Sequence, residues 1–210
     1  MMYKLNHVLI LVLLLILVSC KHSTQKDSTK FKRDIFCFPG RSYNLMYDLT
    51  QQKVAQLGLD TLQSGYDSLQ IRIWYNYAFF NLRRLYIINY SKSKWSASVW
   101  TLNVAWDSAT QTDSIQGYQR EVRSPRSGWD QFCKKLFELR VMTLPDMYAI
   151  PGLRMSFSDG VGYDVEIATQ HLYRFYSYSN PKMLENKYWQ ASNMERIRKL
   201  FEQEFGFVRD

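Results

Sequence analysis

The stretch Leu69-Gln70-Ile71-Arg72-Ile73-Trp74-Tyr75-Asn76-Tyr77 decides how this chain folds. Its apolar and polar residues alternate, which predicts a β-strand with one apolar face, because successive side chains of a strand point to opposite sides of the sheet. Similar segments follow at 84–90, 95–104 and 115–123, separated by short polar turns. Strands at such close spacing predict an antiparallel meander.

Two helical patterns follow the meander. The first begins after Ser127, a residue type that caps helices, and its apolar residues recur at the spacing of a core-facing helix. The second begins at Asn180-Pro181 and runs to about Phe205. It ends at Gly206, the residue type expected just past a helix end.

Further strands are predicted on both sides of the meander. Segments 153–158 and 161–168 are joined by Asp159-Gly160, a strong hairpin signal, and 171–177 follows as another strand. Nearer the amino terminus, 31–38 predicts a short strand and 45–57 a short helix.

Runs of strands interrupted by helices indicate an α+β fold. We expect an antiparallel sheet of about six to seven strands with two helices packed on one face. The other face is then open and rich in Tyr and Arg.

Aromatic residues are unusually frequent, since 15 Tyr, 12 Phe and 6 Trp make up 16% of the chain. They fit the half-buried surfaces of sheets, and Tyr and Trp are also enriched in interfaces. A structural role and a binding face are therefore both open. The candidate contact residues, if the strand register turns them outward, are Arg72, Trp74, Tyr86, Trp100, Tyr118 and Arg120.

The first residues predict export. One cation, Lys4, precedes an unbroken apolar run from Val8 to Val18. At about 1.5 Å per residue this run would form a helix of roughly 16 Å, about half of the ~30 Å hydrocarbon core of a bilayer. It therefore suits the core of a signal peptide rather than a spanning helix.

The apolar run ends in Leu17-Val18-Ser19-Cys20, which resembles the lipobox of bacterial lipoproteins. The resemblance implies cleavage between Ser19 and Cys20 and attachment of lipid to Cys20. It also favours the outer membrane, because Lys21 and not Asp follows Cys20 directly. We expect the protein to face the periplasm, because no acidic cluster follows the cysteine. A plain signal peptide with a chance cysteine and an uncleaved anchor are the alternatives.

Three regions follow from this interpretation. Residues 1–19 are the signal peptide, and 20–30 are the lipidated cysteine with a polar tether that cannot bury enough apolar surface to fold. Residues 31–210 are a single α+β domain. Segments 124–130, 163–166 and 173–176 resemble those of uncharacterised lipoproteins of gut-type Bacteroidota, a similarity that covers about residues 70–205 and implies no activity.

Charge and cysteine content narrow the partners. The net charge is +8, but the basic residues are scattered without a run of five, so we expect no nucleic-acid partner. With Cys20 lipidated, Cys37 and Cys133 remain. A disulfide between them would stabilise the fold by about 4–5 kcal/mol. Alternatively, Cys133 is a free thiol that packs on the apolar face of its helix.

Motifs for catalysis or cofactors are absent. The sequence contains no G-x-S-x-G, H-E-x-x-H, paired C-x-x-C, Walker A or dinucleotide motif, and we expect no cofactor and no metal. His171 is the single histidine beyond the tether, and we interpret it as structural or surface-exposed.

The acidic residues Asp159, Asp164 and Glu166 form one weak cluster. On a strand, Asp164 and Glu166 share a face about 7 Å apart, and paired carboxylates can hydrolyse glycosidic bonds. The alternative is a solvent-facing row with Arg174 as a cross-strand partner.

Three functional hypotheses remain. The leading one is a non-enzymatic protein-interaction module in the cell envelope that holds another envelope protein or neutralises a toxin. The second is a glycan-binding accessory protein, because Trp and Tyr stack on sugar rings. The third is a carboxylate-dependent hydrolase that uses Asp164 and Glu166.

Overall fold

A computed structural model describes residues 30–77, 81–109, 112–153 and 160–206. The predicted signal peptide, Cys20, and the predicted strand 153–158 beyond Leu153, together with Asp159, lie outside these residues. The strands are β1 (Lys32–Ile35), β2 (Leu69–Tyr77), β3 (Leu82–Ser91), β4 (Lys94–Asp107), β5 (Thr112–Val122), β6 (Val161–Thr169) and β7 (Leu172–Ser179). The helices are α1 (Leu45–Gln56), α2 (Trp129–Glu138) and α3 (Trp189–Phe205), with short 3-10 helices at Met147–Ala149 and Pro181–Leu184.

The strands form one sheet in the order β1-β7-β6-β2-β3-β4-β5, so the α+β class is confirmed. Antiparallel pairing from β2 to β5 confirms the predicted meander. The prediction of a purely antiparallel sheet is wrong, because β1 pairs in parallel with β7, with Lys32 opposite Leu172. Alternation within one strand gives neither the partner nor the direction of a strand more than a hundred residues away.

One face of the sheet shares a core with α2 and α3. Ile71, Ile73 and Tyr75 of β2 point to this side and are buried. Phe132 of α2 lies edge-on to Phe201 of α3, with ring centroids 5.4 Å apart. We call this side the α2/α3 face.

The opposite side of the sheet was expected to be open, and the structure places α1 there. Asn44 caps this helix by accepting a hydrogen bond from the Tyr47 N–H. Val54 and Leu57 cluster with Trp74 and Trp100 of the sheet. The short helix predicted at 45–57 is therefore confirmed, the described residues form three helices, and this side, the α1 face, carries a core of its own.

Two predicted helix starts are shifted. The residue that caps α2 is Gly128, whose φ of 83° suits a residue without Cβ, and the Ser127 side chain makes no capping bond. Pro181 begins a 3-10 turn, and α3 starts only at Trp189. The predicted end at Gly206 is confirmed.

The segment between α2 and β6 protects β7 where β1 no longer covers it. The Ser177 N–H donates to Oδ2 of Asp146 at 2.9 Å. The Tyr176 hydroxyl donates to the carbonyl of Val141, and the Tyr178 hydroxyl donates to that of Pro145. These bonds satisfy an edge that would otherwise be open to other strands.

From Phe31 onward, the described residues belong to one compact unit. None of the helices in the described part of the chain is long and apolar enough to cross a membrane.

Candidate functional site

Four of the six predicted contact residues are buried, which corrects the expectation that they face a partner. Arg72, Trp74 and Trp100 lie buried on the α1 face, beneath α1 and the segment that follows it. Tyr86 points to the α2/α3 face, where its ring lies 5.3 Å from that of Phe201. Each face of the sheet carries a hydrophobic core here, so a partner can reach these four side chains from neither face.

Glu166 is the centre of a buried polar network on the α1 face. Its side chain is 0% exposed, and Oε1 accepts hydrogen bonds from Gln51 and from the Tyr173 hydroxyl, both at 3.0 Å. Oε2 accepts one from the Trp74 indole at 3.0 Å and lies 3.8 Å from the Arg72 guanidinium. A carboxylate surrounded in this way fixes strands and helix, because a buried charge is tolerated only when it is paired and hydrogen-bonded.

Asp164 lies two residues earlier on the same face and is 4% exposed. Its Oδ2 accepts hydrogen bonds from Thr50 at 3.2 Å and from the Asn76 amide at 2.7 Å. The side-chain oxygen of Asn76, Oδ1, in turn accepts a hydrogen bond from Lys53 Nζ at 2.7 Å. Burial raises the pKa of Asp164 to about 6 against the opposing influence of Lys53.

Lys53 belongs to the same polar group. Burial lowers the pKa of its ammonium, and the nearby Asp164 carboxylate partly offsets this effect. Lys53 and Asp164 both line a cavity on the α1 face. Carboxylates and amines with pKa values shifted toward neutrality are enriched at functional sites.

The predicted solvent-facing acidic row is therefore wrong, because α1 covers Asp164 and Glu166. Arg174 does not pair with them either. It points to the other face and forms an ion pair with Asp34 of β1 at 2.7 Å. His171 is exposed.

The two remaining cysteines are free thiols, Cys37 exposed and Cys133 buried. Burial raises the pKa of Cys133 to about 11. Across the described ranges, no group of three His, Cys, Asp or Glu side chains is arranged to hold a metal ion.

The two exposed members of the predicted contact set lie together at the edge of the sheet. The Tyr118 ring lies 4.9 Å from that of Trp100, and the Arg120 guanidinium lies 5.2 Å from the same ring. Tyr118 is 54% exposed, and it shares its side of the sheet with Val122, which is 77% exposed, and Trp106, which is 67% exposed. We call Trp106, Tyr118, Arg120 and Val122 the edge surface.

The backbone of β5 adds hydrogen-bonding groups to the edge surface. The Arg123 N–H donates to the carbonyl of Ala97, which identifies these residues as a hydrogen-bonded pair. Hydrogen-bonded and non-hydrogen-bonded pairs alternate along an antiparallel ladder, so Tyr118, Arg120 and Val122 belong to non-hydrogen-bonded pairs. Their N–H and C=O groups therefore point away from β4. Within the described ranges, no strand lies beyond β5 in the order of the sheet.

Comparisons of the chain with models of protein families, with curated proteins and with solved structures found no match. The lipobox and the resemblance to Bacteroidota lipoproteins therefore stay predictions from the sequence.

Sequence reasoning missed Lys53, Asn76, Trp106 and Val122. Lys53 lies in a helix with a weak apolar pattern, and Asn76 lies at the end of a strand, so neither position stands out. Val122 and Trp106 carried a usable signal, since both are apolar residues next to polar segments, Val122 near the end of the predicted strand 115–123 and Trp106 just past that of 95–104.

Proposed function

We propose that this protein is a non-enzymatic interaction module, held at a membrane of the cell envelope by lipid on Cys20, which binds an extended segment of another envelope protein along β5. The observation that carries the proposal is an eleven-residue edge strand with an exposed aromatic and apolar strip. Long apolar edges are usually shielded, since they template the addition of further strands.

The contrast between the two edges of the sheet supports this proposal. The β1 edge is four residues long, and the segment around Asp146 covers β7 beyond it. Within the described ranges, α1 covers the β5 edge near Ile115, whose N–H donates to the Gln56 side chain at 3.1 Å. The half of β5 that contains Tyr118, Arg120 and Val122 stays accessible.

The chemistry of the edge surface defines the partner. Strand addition obtains affinity from main-chain hydrogen bonds and specificity from alternate side chains. Tyr118, Arg120 and Val122 lie on one side of β5, so they would contact every second residue of an added strand. Tyr118 and Val122 suit apolar side chains there, and Arg120 suits a carboxylate between them. An acidic segment also agrees with the net charge of +8, which favours the encounter with negatively charged partners.

The test is crosslinking in the cell from defined positions. A photoreactive amino acid at Val122 is expected to capture one abundant envelope protein, whereas the same amino acid at the exposed Met183, remote from β5 in sequence, captures none. The Cys20→Ala variant, which we expect to be mislocalised, should lose the product.

Two substitutions separate the backbone from the side chain. Val122→Pro removes one outward N–H and should abolish the crosslink from a probe at Tyr118, whereas Val122→Ala should only weaken it. Equal crosslinking from Val122 and Met183, or a product that contains only a second copy of this chain, would overturn the proposal.

A further inference from the structure

A cavity of about 260 Å³ opens on the α1 face beside Asp164. Lys53 of α1, Asn76 of β2 and Arg83 of β3 line one part of it, and Asp164 of β6 and Ser177 of β7 line another. Five elements of the fold thus direct polar groups into one cleft, and such convergence is typical of binding sites for small molecules.

Gly162 gives the cavity part of its room. It lies two residues before Asp164 on β6, opposite Asn76, and also lines the cavity. A Cβ at this position would point to the same side as Asp164, and its nearest neighbour would be the Asn76 Cβ at 3.8 Å. The backbone does not require glycine here, and glycine inside a strand often marks a site where a ligand approaches closely.

The charges around the cavity are already balanced. Arg83 pairs with Asp113 at 3.0 Å. Lys53 and Asp164 are joined through the Asn76 amide, with hydrogen bonds of 2.7 Å on each side. An ion that entered would leave one of these buried charges without its partner, so a neutral ligand is favoured.

The hydrogen-bonding groups nevertheless leave capacity for a ligand. Oδ2 of Asp164 accepts both hydrogen bonds that reach this carboxylate, from Thr50 and from Asn76. Among the described residues no donor bonds Oδ1, which leaves this oxygen as an acceptor. The Lys53 ammonium carries three protons and donates one to Asn76. A ligand that both donates and accepts hydrogen bonds therefore fits, and vicinal hydroxyl groups do both.

Size limits the ligand further. Pockets for drug-sized molecules measure roughly 300–1,000 Å³. The smaller volume here suits a single ring, with the apolar side chains of Met46 and Leu49 available to its C–H groups.

We infer that the Asp164 cavity binds a neutral polyhydroxylated ring: a monosaccharide or the terminal residue of a glycan. Asp164 accepts from one hydroxyl, Lys53 donates to another, and Gly162 leaves the space for the ring. This site lies apart from the edge surface and does not depend on the interaction with β5.

The experiment is saturation-transfer NMR on the full chain in detergent, with a panel of neutral methyl glycosides that includes those of glucose, galactose, mannose and N-acetylglucosamine. Gly162→Val should fill the cavity and weaken binding at least ten-fold. Asp164→Asn should do the same, because its amide can keep the bonds from Thr50 and Asn76 while it presents a donor in place of Oδ1. Tyr118→Ala on the edge surface should bind the glycoside as the wild type does.

The outcomes are distinct. A glycoside whose binding is lost in Gly162→Val and Asp164→Asn but kept in Tyr118→Ala supports the site. Absence of binding to every glycoside at 10 mM in the wild type, or binding that survives Gly162→Val, overturns it. Binding of free amino acids or inorganic phosphate in place of glycosides overturns the ligand class. Gly162→Val leaves every charged group in place, so it decides the matter if Asp164→Asn fails to fold.

Discussion

The indole N–H of Trp74 donates a hydrogen bond of 3.0 Å to Oε2 of Glu166 across the neighbouring strands β2 and β6. Both residues carried functional hypotheses in the sequence, Trp74 as a contact residue and Glu166 as one of the two carboxylates of a hydrolase. Their bond lies in the interior and joins the two central strands to α1 through Gln51.

We therefore expect Glu166→Gln to act on stability. Loss of the Glu166 charge would leave the Arg72 guanidinium buried without a counter-charge. Removing one partner of a buried ion pair lowers the free energy of unfolding by about 3–5 kcal/mol. Urea unfolding followed by circular dichroism measures the change. The control is Glu121→Gln, whose exposed pair with Arg123 should contribute less than about 1 kcal/mol. Equal losses in both variants would contradict the structural role of Glu166.

The meander could be predicted because its information is local. Each strand from β2 to β5 alternates within itself and is separated from the next by only a few residues, so that neighbours in sequence become neighbours in the sheet. The pairing of β1 with β7 depends on contacts between distant segments, and no feature of Lys32–Ile35 specifies its partner.

The candidate site was harder to predict for a physical reason. Alternation assigns Trp74 and Tyr75 of β2 to opposite faces, but it does not say which face is exposed. Here both are covered, because α1 buries the second face although Thr50 and Val54 are the only buried residues within the helix. A helix with so weak an apolar stripe gives little warning that it covers a sheet.

The direction of the β5 backbone predicts a difference between two proline variants. In Val122→Pro the lost N–H points away from β4, so the sheet keeps its ladder and the fold persists. In Gln119→Pro the lost N–H belongs to the ladder opposite Thr101, and the unpaired carbonyl should cost about 1–3 kcal/mol. Thermal unfolding of the two purified variants compares them. A Val122→Pro variant as unstable as Gln119→Pro would contradict the assigned direction.

The stability of the protein should depend on the protonation of Asp164. Burial raises the pKa of its carboxyl to about 6 in the folded protein, above the ordinary value of 3.8. Between these values the folded state holds a proton that the unfolded state has released, so the contribution of Asp164 to the free energy of unfolding decreases as the pH rises from about 4 to 6. The full change amounts to about 2–3 kcal/mol.

Asp164→Asn isolates this effect because it removes the titrating group and keeps the size of the side chain. Urea unfolding of both proteins at pH 4, 5, 6 and 7 should show a wild-type advantage that declines with rising pH across this range. Other raised carboxyls such as Asp146 are present in both proteins and cancel in the difference. Parallel curves across the four pH values would contradict the raised pKa of Asp164.

The reactivity of the thiols tests the folded state and the anchor together. Cys37 is exposed, whereas burial raises the pKa of Cys133 to about 11, so that about one in a thousand Cys133 side chains is a thiolate at pH 8. A thiol reagent should therefore modify one cysteine of the native protein quickly and a second only after unfolding.

The total after unfolding decides the state of Cys20. If lipid occupies its sulfur, the denatured chain from the membrane fraction titrates two thiols, and Cys20→Ser titrates the same two but leaves the membrane. Three thiols in the membrane-derived protein would overturn lipid attachment at Cys20. A count that rises by two only after reduction would instead identify a disulfide between Cys37 and Cys133, in conflict with the free thiols of the structure.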